Sequence, residues 1–173
     1  YGPKGVGKTT FAAGAPAPVL LAVEDGVGRL DVPHWGIPSW DDLMLAIGTL
    51  LGEEHDFKSV IVDSLDWLEP IVWAETCRRN GWTSIEAPGY GKGYIEADSV
   101  WRDFVDGMQA LRDERGMSVV QLAHEEIKTF ASPEADPFDM YRIKLHKRGS
   151  AILQEHADAV GFLSFDTFTT TTE

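Results

Sequence analysis

The chain has one cysteine, Cys77, in 173 residues. A single thiol cannot close an internal disulfide, which excludes a disulfide-stapled fold and suits a reducing compartment. Its plain reading is a small apolar residue on a helix. No apolar run approaches the ~18 residues that a membrane-spanning helix needs. Bases are scarce: 15 Lys and Arg stand against 28 Asp and Glu, for a formal net charge of −13. That balance works against broad adhesion to nucleic acid or to an anionic membrane, while leaving room for a local basic site. Internal repeats and linkers are lacking too, so a single domain over residues 1–173 is expected. The N-terminus carries a glycine-rich loop where a signal peptide would have charged and apolar regions, and a cytoplasmic protein is expected.

That glycine-rich loop is the strongest signal present. Gly2-Pro3-Lys4-Gly5-Val6-Gly7-Lys8-Thr9 matches G-x-x-x-x-G-K-[ST] in full. In such a loop the glycines let backbone N–H groups converge on phosphate oxygens, and the following helix adds its positive end. Lys8 is placed to neutralise the β- and γ-phosphates, and the Thr9 hydroxyl to ligate Mg²⁺. Gly2 through Thr9, with Thr10, form the expected nucleotide-contacting stretch. A phosphate loop follows a strand, and that strand is expected upstream of Tyr1.

Further along, short apolar runs alternate with helical patterns, which predicts a mostly parallel α/β sheet flanked by helices. Buried strands are expected at 19–23, 58–64, 118–124 and 158–165, and a loop at 32–40. Ser39 should cap a helix with Asp42 as its capping-box partner and Leu43, Ile47, Leu50 and Leu51 as its apolar stripe. A second helix should run from Leu65 to Asn80, with Gly81 just past its end. Ala97, Val100 or Trp101, Phe104, Met108 and Leu111 recur at helical spacing and predict a long amphipathic helix ending at Gly116. Residues 81–94 have no periodicity and read as a mobile loop. Residues 125–148 read as an extended excursion or irregular hairpin, followed by a helix from Ser150.

Three strand ends carry polar groups. "VIVDS" delivers Asp63 to the C-terminal edge of the sheet, where ligands bind in open α/β folds. An acid there can hold Mg²⁺ through water, as Walker-B acids do; its plain reading is a helix cap. "LLAVEDG" places Glu24 past another strand, where a carboxylate can accept a proton from the water attacking the γ-phosphate. Asp25 suits the turn at Gly26 instead. "VVQLAH" ends in His124, which can hydrogen-bond the γ-phosphate and report hydrolysis to the segment that follows.

Against the acidic background, "RIKLHKR" packs four Lys/Arg and one His into residues 142–148. Three readings stay open. Lys147 and Arg148 can act as trans-acting cations on a neighbouring subunit's nucleotide. Arg142, Lys144 and Lys147 can instead meet a DNA backbone. Or the run is a solvated hairpin. Trp82, Tyr90 and Tyr94 lie near Lys92, a mixture that suits stacking on unpaired bases but also suits rings packed under a loop.

Taken together, the phosphate loop, "EDG", "VIVDS", "YGKGY", "VVQLAH", the basic run and "HADAVGFL" resemble the ATP-binding RecA-core proteins of bacteriophages, notably the single-strand annealing group. The resemblance covers nearly the whole chain. It implies a RecA-like P-loop NTPase core that binds Mg-ATP and single-stranded DNA, assembles into a ring or filament, and works in an infected bacterial cell. In that scheme Lys8, Glu24 and His124 are catalytic, and Thr9 and Asp63 serve the metal. The chain has no room for the flanking domains of RecA's own recombinase, so full strand exchange is not implied. The alternative is an annealing module in which ATP is a structural ligand with negligible turnover. A small-molecule kinase would need a second substrate pocket and an arginine lid, and neither shows in the sequence.

Overall fold

In the computed structural model, residues 1–24, 30–131 and 136–166 are described. The turn at Asp25–Gly26 and the terminal threonines lie outside them. After the phosphate loop, α1 (Lys8–Ala13) is short and is followed by β1 (Pro18–Ala22) and β2 (His34–Gly36). α2 (Trp40–Gly52) leads to β3 (Ser59–Asp63), then α3 (Leu65–Asn80) and α4 (Lys92–Arg115). β4 (Ser118–Gln121) precedes a hairpin of β5 (Glu125–Phe130) and β6 (Phe138–Ile143), and α5 (Lys147–Glu155) follows.

β2, β1, β3 and β4 pair in that order, all parallel, with Leu20 opposite Ile61 and Ile61 opposite Val120. The central strands are uninterrupted apolar runs because both faces are covered. Val19, Leu21, Val60 and Val62 face the core formed with α2, α3, α4 and α5. Leu20, Ala22 and Ile61 face the other way, onto Ala12 of α1 and Leu122. The result is the helix–sheet–helix layering expected of the sequence.

The helix boundaries follow their punctuation. Ser39 caps α2, its Oγ accepting the Asp42 N–H at 3.2 Å. The Asp42 carboxylate takes the Ser39 hydroxyl instead of reaching the Ser39 N–H. α3 ends at Gly81, whose φ of 67° lets the chain reverse, and the Trp82 N–H then closes back on the Cys77 carbonyl at 2.9 Å. α4 buries Ala97, Val100, Trp101, Phe104, Met108 and Leu111, the expected stripe, and stops at Gly116 with φ 63°.

Four expectations need correction. Residues 34–36 are not loop but an edge strand: "HWG" has no apolar pattern and is held by backbone pairing to β1. Residues 158–165 form no strand; among the described residues the ladder-type bonds of that stretch go to Tyr1, with the Tyr1 N-terminus donating to the Gly161 carbonyl at 2.8 Å and the Leu163 N–H to the Tyr1 carbonyl at 2.9 Å. β4 is half-exposed, not buried. A cleft of about 450 Å³ opens beside it, with Tyr1, Met108, Val119, Gln121, Leu153 and Val160 among its walls. The loop of 81–94 ends at Gly91, so Lys92 and Tyr94 belong to the first turn of α4. A Cβ at position 93 would sit 1.9 Å from the Ile85 carbonyl oxygen, so only glycine lets that turn fold onto the loop.

The excursion of 125–148 is more regular than expected. β5 and β6 form an antiparallel ladder of their own, from Glu125 opposite Ile143 to Phe130 opposite Phe138. The basic run is divided among the end of β6, a turn and the start of α5, which begins three residues before Ser150.

Candidate functional site

The phosphate loop wraps its own lysine. Gly5 and Gly7 take left-handed φ of 80° and 96°, which turns successive N–H groups inward. Lys8 is 6% exposed, and its ammonium donates to the carbonyls of Gly2 at 2.8 Å and Pro3 at 2.9 Å. Burial lowers its pKa, opposed by the carboxylates of Glu125, Asp63, Asp66 and Glu24. Gly2 also anchors the loop to the sheet: its N–H donates to the Ala123 carbonyl at 3.2 Å and it bridges His124. Lys4, Gly5 and Thr10 are exposed, while Pro3, Val6, Gly7 and Thr9 are half-buried.

From the centre of the sheet, β3 carries Asp63 to the loop. Its carboxylate is buried and accepts the Thr9 hydroxyl at 2.7 Å. A hydroxyl and a carboxylate held together beside a phosphate loop are the hard oxygen donors that suit Mg²⁺, which keeps several of its waters and takes few protein ligands. The residues present therefore fit the metal. The peptide joining Asp63 to Ser64 is cis, and α3 starts at the next residue.

Glu24 lies two residues past the end of β1. Its N–H and that of Val23 donate to the Asp63 carbonyl, at 3.3 and 2.8 Å. Burial, and then the neighbouring Asp63 charge, raise the Glu24 pKa. A carboxylate with raised pKa is a better proton acceptor than a free one.

His124, just past β4, is tied to Asp66 of α3. Asp66 Oδ1 accepts the His124 backbone N–H at 3.0 Å, and its Oδ2 lies 2.9 Å from Nδ1. Burial pushes the Asp66 pKa up, but the two His124 hydrogen bonds and one from Ser64 outweigh it and hold the carboxyl below its ordinary value. An ionised carboxylate only accepts, so His124 Nδ1 carries the hydrogen of that contact.

Lys8, Thr9, Asp63, Glu24 and His124, the expected site residues, thus meet at the C-terminal edge of the parallel sheet. The basic residues do not join them. Lys92, Arg142, Lys144 and Lys147 are exposed. Arg148 is held within its own chain, its guanidinium on Asp98 of α4 at 2.5 and 3.0 Å. To act on a neighbour it would have to leave that carboxylate. Among the aromatics, Tyr90 is fully exposed and Trp82 half-buried. Tyr94 is committed: its ring stacks on His146 at 4.3 Å, meets Trp73 edge-on at 5.4 Å, and its hydroxyl bonds Glu86.

Sequence reasoning missed three acids. Glu125, next to His124, is the foremost of the carboxylates acting on Lys8. Asp66 orients His124. Glu69 lies one helical turn beyond Asp66, and both its oxygens accept the His146 N–H, at 2.9 and 3.1 Å. Proximity to His124 could have flagged Glu125. Nothing in the sequence pairs Asp66 or Glu69 with histidines so far along the chain.

Searches of curated proteins and of solved structures returned no match. A family model described as an AAA domain matches residues 1–173. With a phosphate loop, a strand-end acid against its threonine and a parallel sheet to carry both, the chain belongs to that AAA domain family and is a P-loop NTPase-type, nucleotide-binding domain.

Proposed function

We propose that the protein is a Mg²⁺-dependent ATPase that works as an oligomer on single-stranded DNA, in phage-type recombination or annealing. The observation that carries the ATPase reading is the convergence of Lys8, Thr9 with Asp63, Glu24, and His124 with Asp66 on one sheet edge. Mg²⁺, when bound, draws charge from the transferring phosphoryl group. Thr9 and Asp63 would hold it. Lys8 turns from the Gly2 and Pro3 carbonyls towards phosphate oxygens. Glu24 accepts the proton of the attacking water, and His124 offers Nε2 to the γ-phosphate. Support for the DNA reading is the β5–β6 hairpin rooted at His124. It exposes Ile127, Phe130, Phe138 and Tyr141 beside Arg142 and Lys144, a pairing of rings and cations that suits unpaired bases.

The test is ATP binding and turnover with and without oligo-dT. Lys8→Ala should abolish both. A Lys8→Ala protein that binds and hydrolyses ATP like the wild type overturns the mechanism. Annealing of complementary strands without turnover would leave ATP as a structural ligand.

A further inference from the structure

β5 and β6 pack chiefly on each other, so their attachment to the rest of the domain is confined to a few contacts. Two of these come from α3. Asp66 and Glu69 are three positions apart, hence on one helix face a turn apart. Both are buried. Asp66 accepts the backbone N–H of His124, the residue before β5, while Glu69 accepts that of His146, three residues after β6. Between the two roots, the Lys144 N–H donates to the His124 carbonyl at 2.9 Å. The hairpin base is therefore a closed ring running from α3 through Asp66 and His124, across to Lys144, and back through His146 and Glu69. The ionised Asp66 carboxylate on a backbone N–H is among the stronger hydrogen bonds available, and Glu69 turns both its oxygens to a single N–H. The other contacts are packing and one neutral hydrogen bond: Ile143, the last residue of β6, lies against the main core with Leu145 buried in it, Tyr141 stacks on Phe162 at 4.8 Å, and the Tyr1 hydroxyl lies 3.4 Å from the Tyr141 carbonyl.

The ring has a direction. α3 begins two residues after Asp63, so the metal acid and both carboxylates ride on one continuous piece of backbone. Asp66 also grips the His124 imidazole, fixing Nδ1 and leaving Nε2 as the nitrogen available to a phosphate. Any pull on His124 by a nucleotide is thus applied at one root of the hairpin, while Glu69 holds the other.

We propose that Asp66 and Glu69 are a two-point clamp on the hairpin, with Asp66 the positioning residue through which the state of the phosphate site reaches β5 and β6. The relay half rests on the nucleotide reading above; the clamp half does not.

Hydrogen exchange followed by mass spectrometry separates them. Peptides covering β5 and β6 are compared in wild-type, Asp66→Asn and Glu69→Gln proteins, free and with Mg²⁺ and ATPγS. In free protein both variants should speed hairpin exchange about tenfold, while β1 and β3 stay protected. With ATPγS, the wild-type hairpin should change its exchange. At saturating ATPγS, Asp66→Asn should lose that response and Glu69→Gln should keep it. If β1 and β3 lose protection in Asp66→Asn, Glu69→Gln alone decides the clamp, and the wild-type hairpin's response to ATPγS decides the relay, an unchanged hairpin overturning it. Unaltered hairpin exchange in both free variants overturns the clamp. A full ATPγS response in Asp66→Asn overturns the relay. A wild-type protein that binds no nucleotide overturns the relay together with the ATPase reading, while the free-protein exchange still decides the clamp.

Discussion

Glu69 is a buried carboxyl that meets no cation among the described residues. Burial raises its pKa to about 7, the negative charges of Asp66 and Glu126 add to this, and the His146 N–H opposes them. Its unfolded value is near 4.5, so the folded chain binds a proton the unfolded one has released. Its contribution to stability is complete below pH 4.5 and is lost as pH rises to about 7. Glu69→Gln stays neutral throughout and offers the His146 N–H one oxygen where the carboxyl offers two. Urea midpoints of the variant should be nearly flat over that window, while those of the wild type fall. Equal slopes would show that Glu69 does not titrate there. Glu24, also raised, has a different task. Glu24→Gln should leave ATP affinity close to wild type and cut kcat by about 10²–10⁴-fold, the usual worth of a positioned base. Single-turnover kinetics would expose a Glu24→Gln enzyme of unchanged rate, which removes Glu24 from that role. Both residues were accessible to sequence reading only as strand-end or helix acids. Their environments come from residues far away in the chain.

At the scale of elements, what the sequence predicted well was what local chemistry dictates. α3 and α4 end on glycines in left-handed geometry, and α2 starts on a serine cap; each signal lies within four residues of its boundary. The runs 19–22 in β1 and 60–62 in β3 are apolar because helices cover both faces, so length and composition sufficed. β2 failed for the opposite reason: three residues with no pattern are a strand only because β1 offers them an edge. The stretch 158–165 failed in reverse, apolar enough for a strand but bonded in ladder fashion, among the described residues, to Tyr1 alone. Glycines inside helices divide by the same contrast of local and distant. Gly48 in α2 has nothing within 4 Å of an added Cβ, so Gly48→Ala should stabilise by about 1 kcal/mol through helix propensity. Gly93 in α4 would drive its Cβ to 1.9 Å from a backbone oxygen, so Gly93→Ala should lower the melting temperature despite the same propensity gain. Paired thermal melts check both signs, and two stabilised variants would mean that the 81–91 loop yields easily.

For the whole molecule, charge and layout pull apart. The phosphate site was legible because its residues sit at strand ends, where a parallel sheet gathers groups distant in sequence. The disposition of the cations was not, because nothing local tells Arg148 from Lys147, although the first lies on Asp98 and the second is exposed. The net charge of −13 leaves any DNA affinity resting on a few exposed cations: Lys92, Arg142, Lys144 and Lys147. Each phosphate contact on a single strand contributes about −0.7 to the slope of log affinity against log salt, so about four contacts give a slope near −3. Replacing Arg142 and Lys144 by alanine together should bring it to about −1.4, with ATP affinity untouched because neither residue meets the phosphate site. Fluorescence anisotropy of labelled oligo-dT across a salt series measures the slope directly. An Arg142→Ala, Lys144→Ala protein with the wild-type slope would place the DNA path away from the base of the hairpin. Because salt slope counts neutralised phosphates and not total affinity, the result stands even if stacking on Phe130, Phe138 or Tyr90 supplies most of the binding energy.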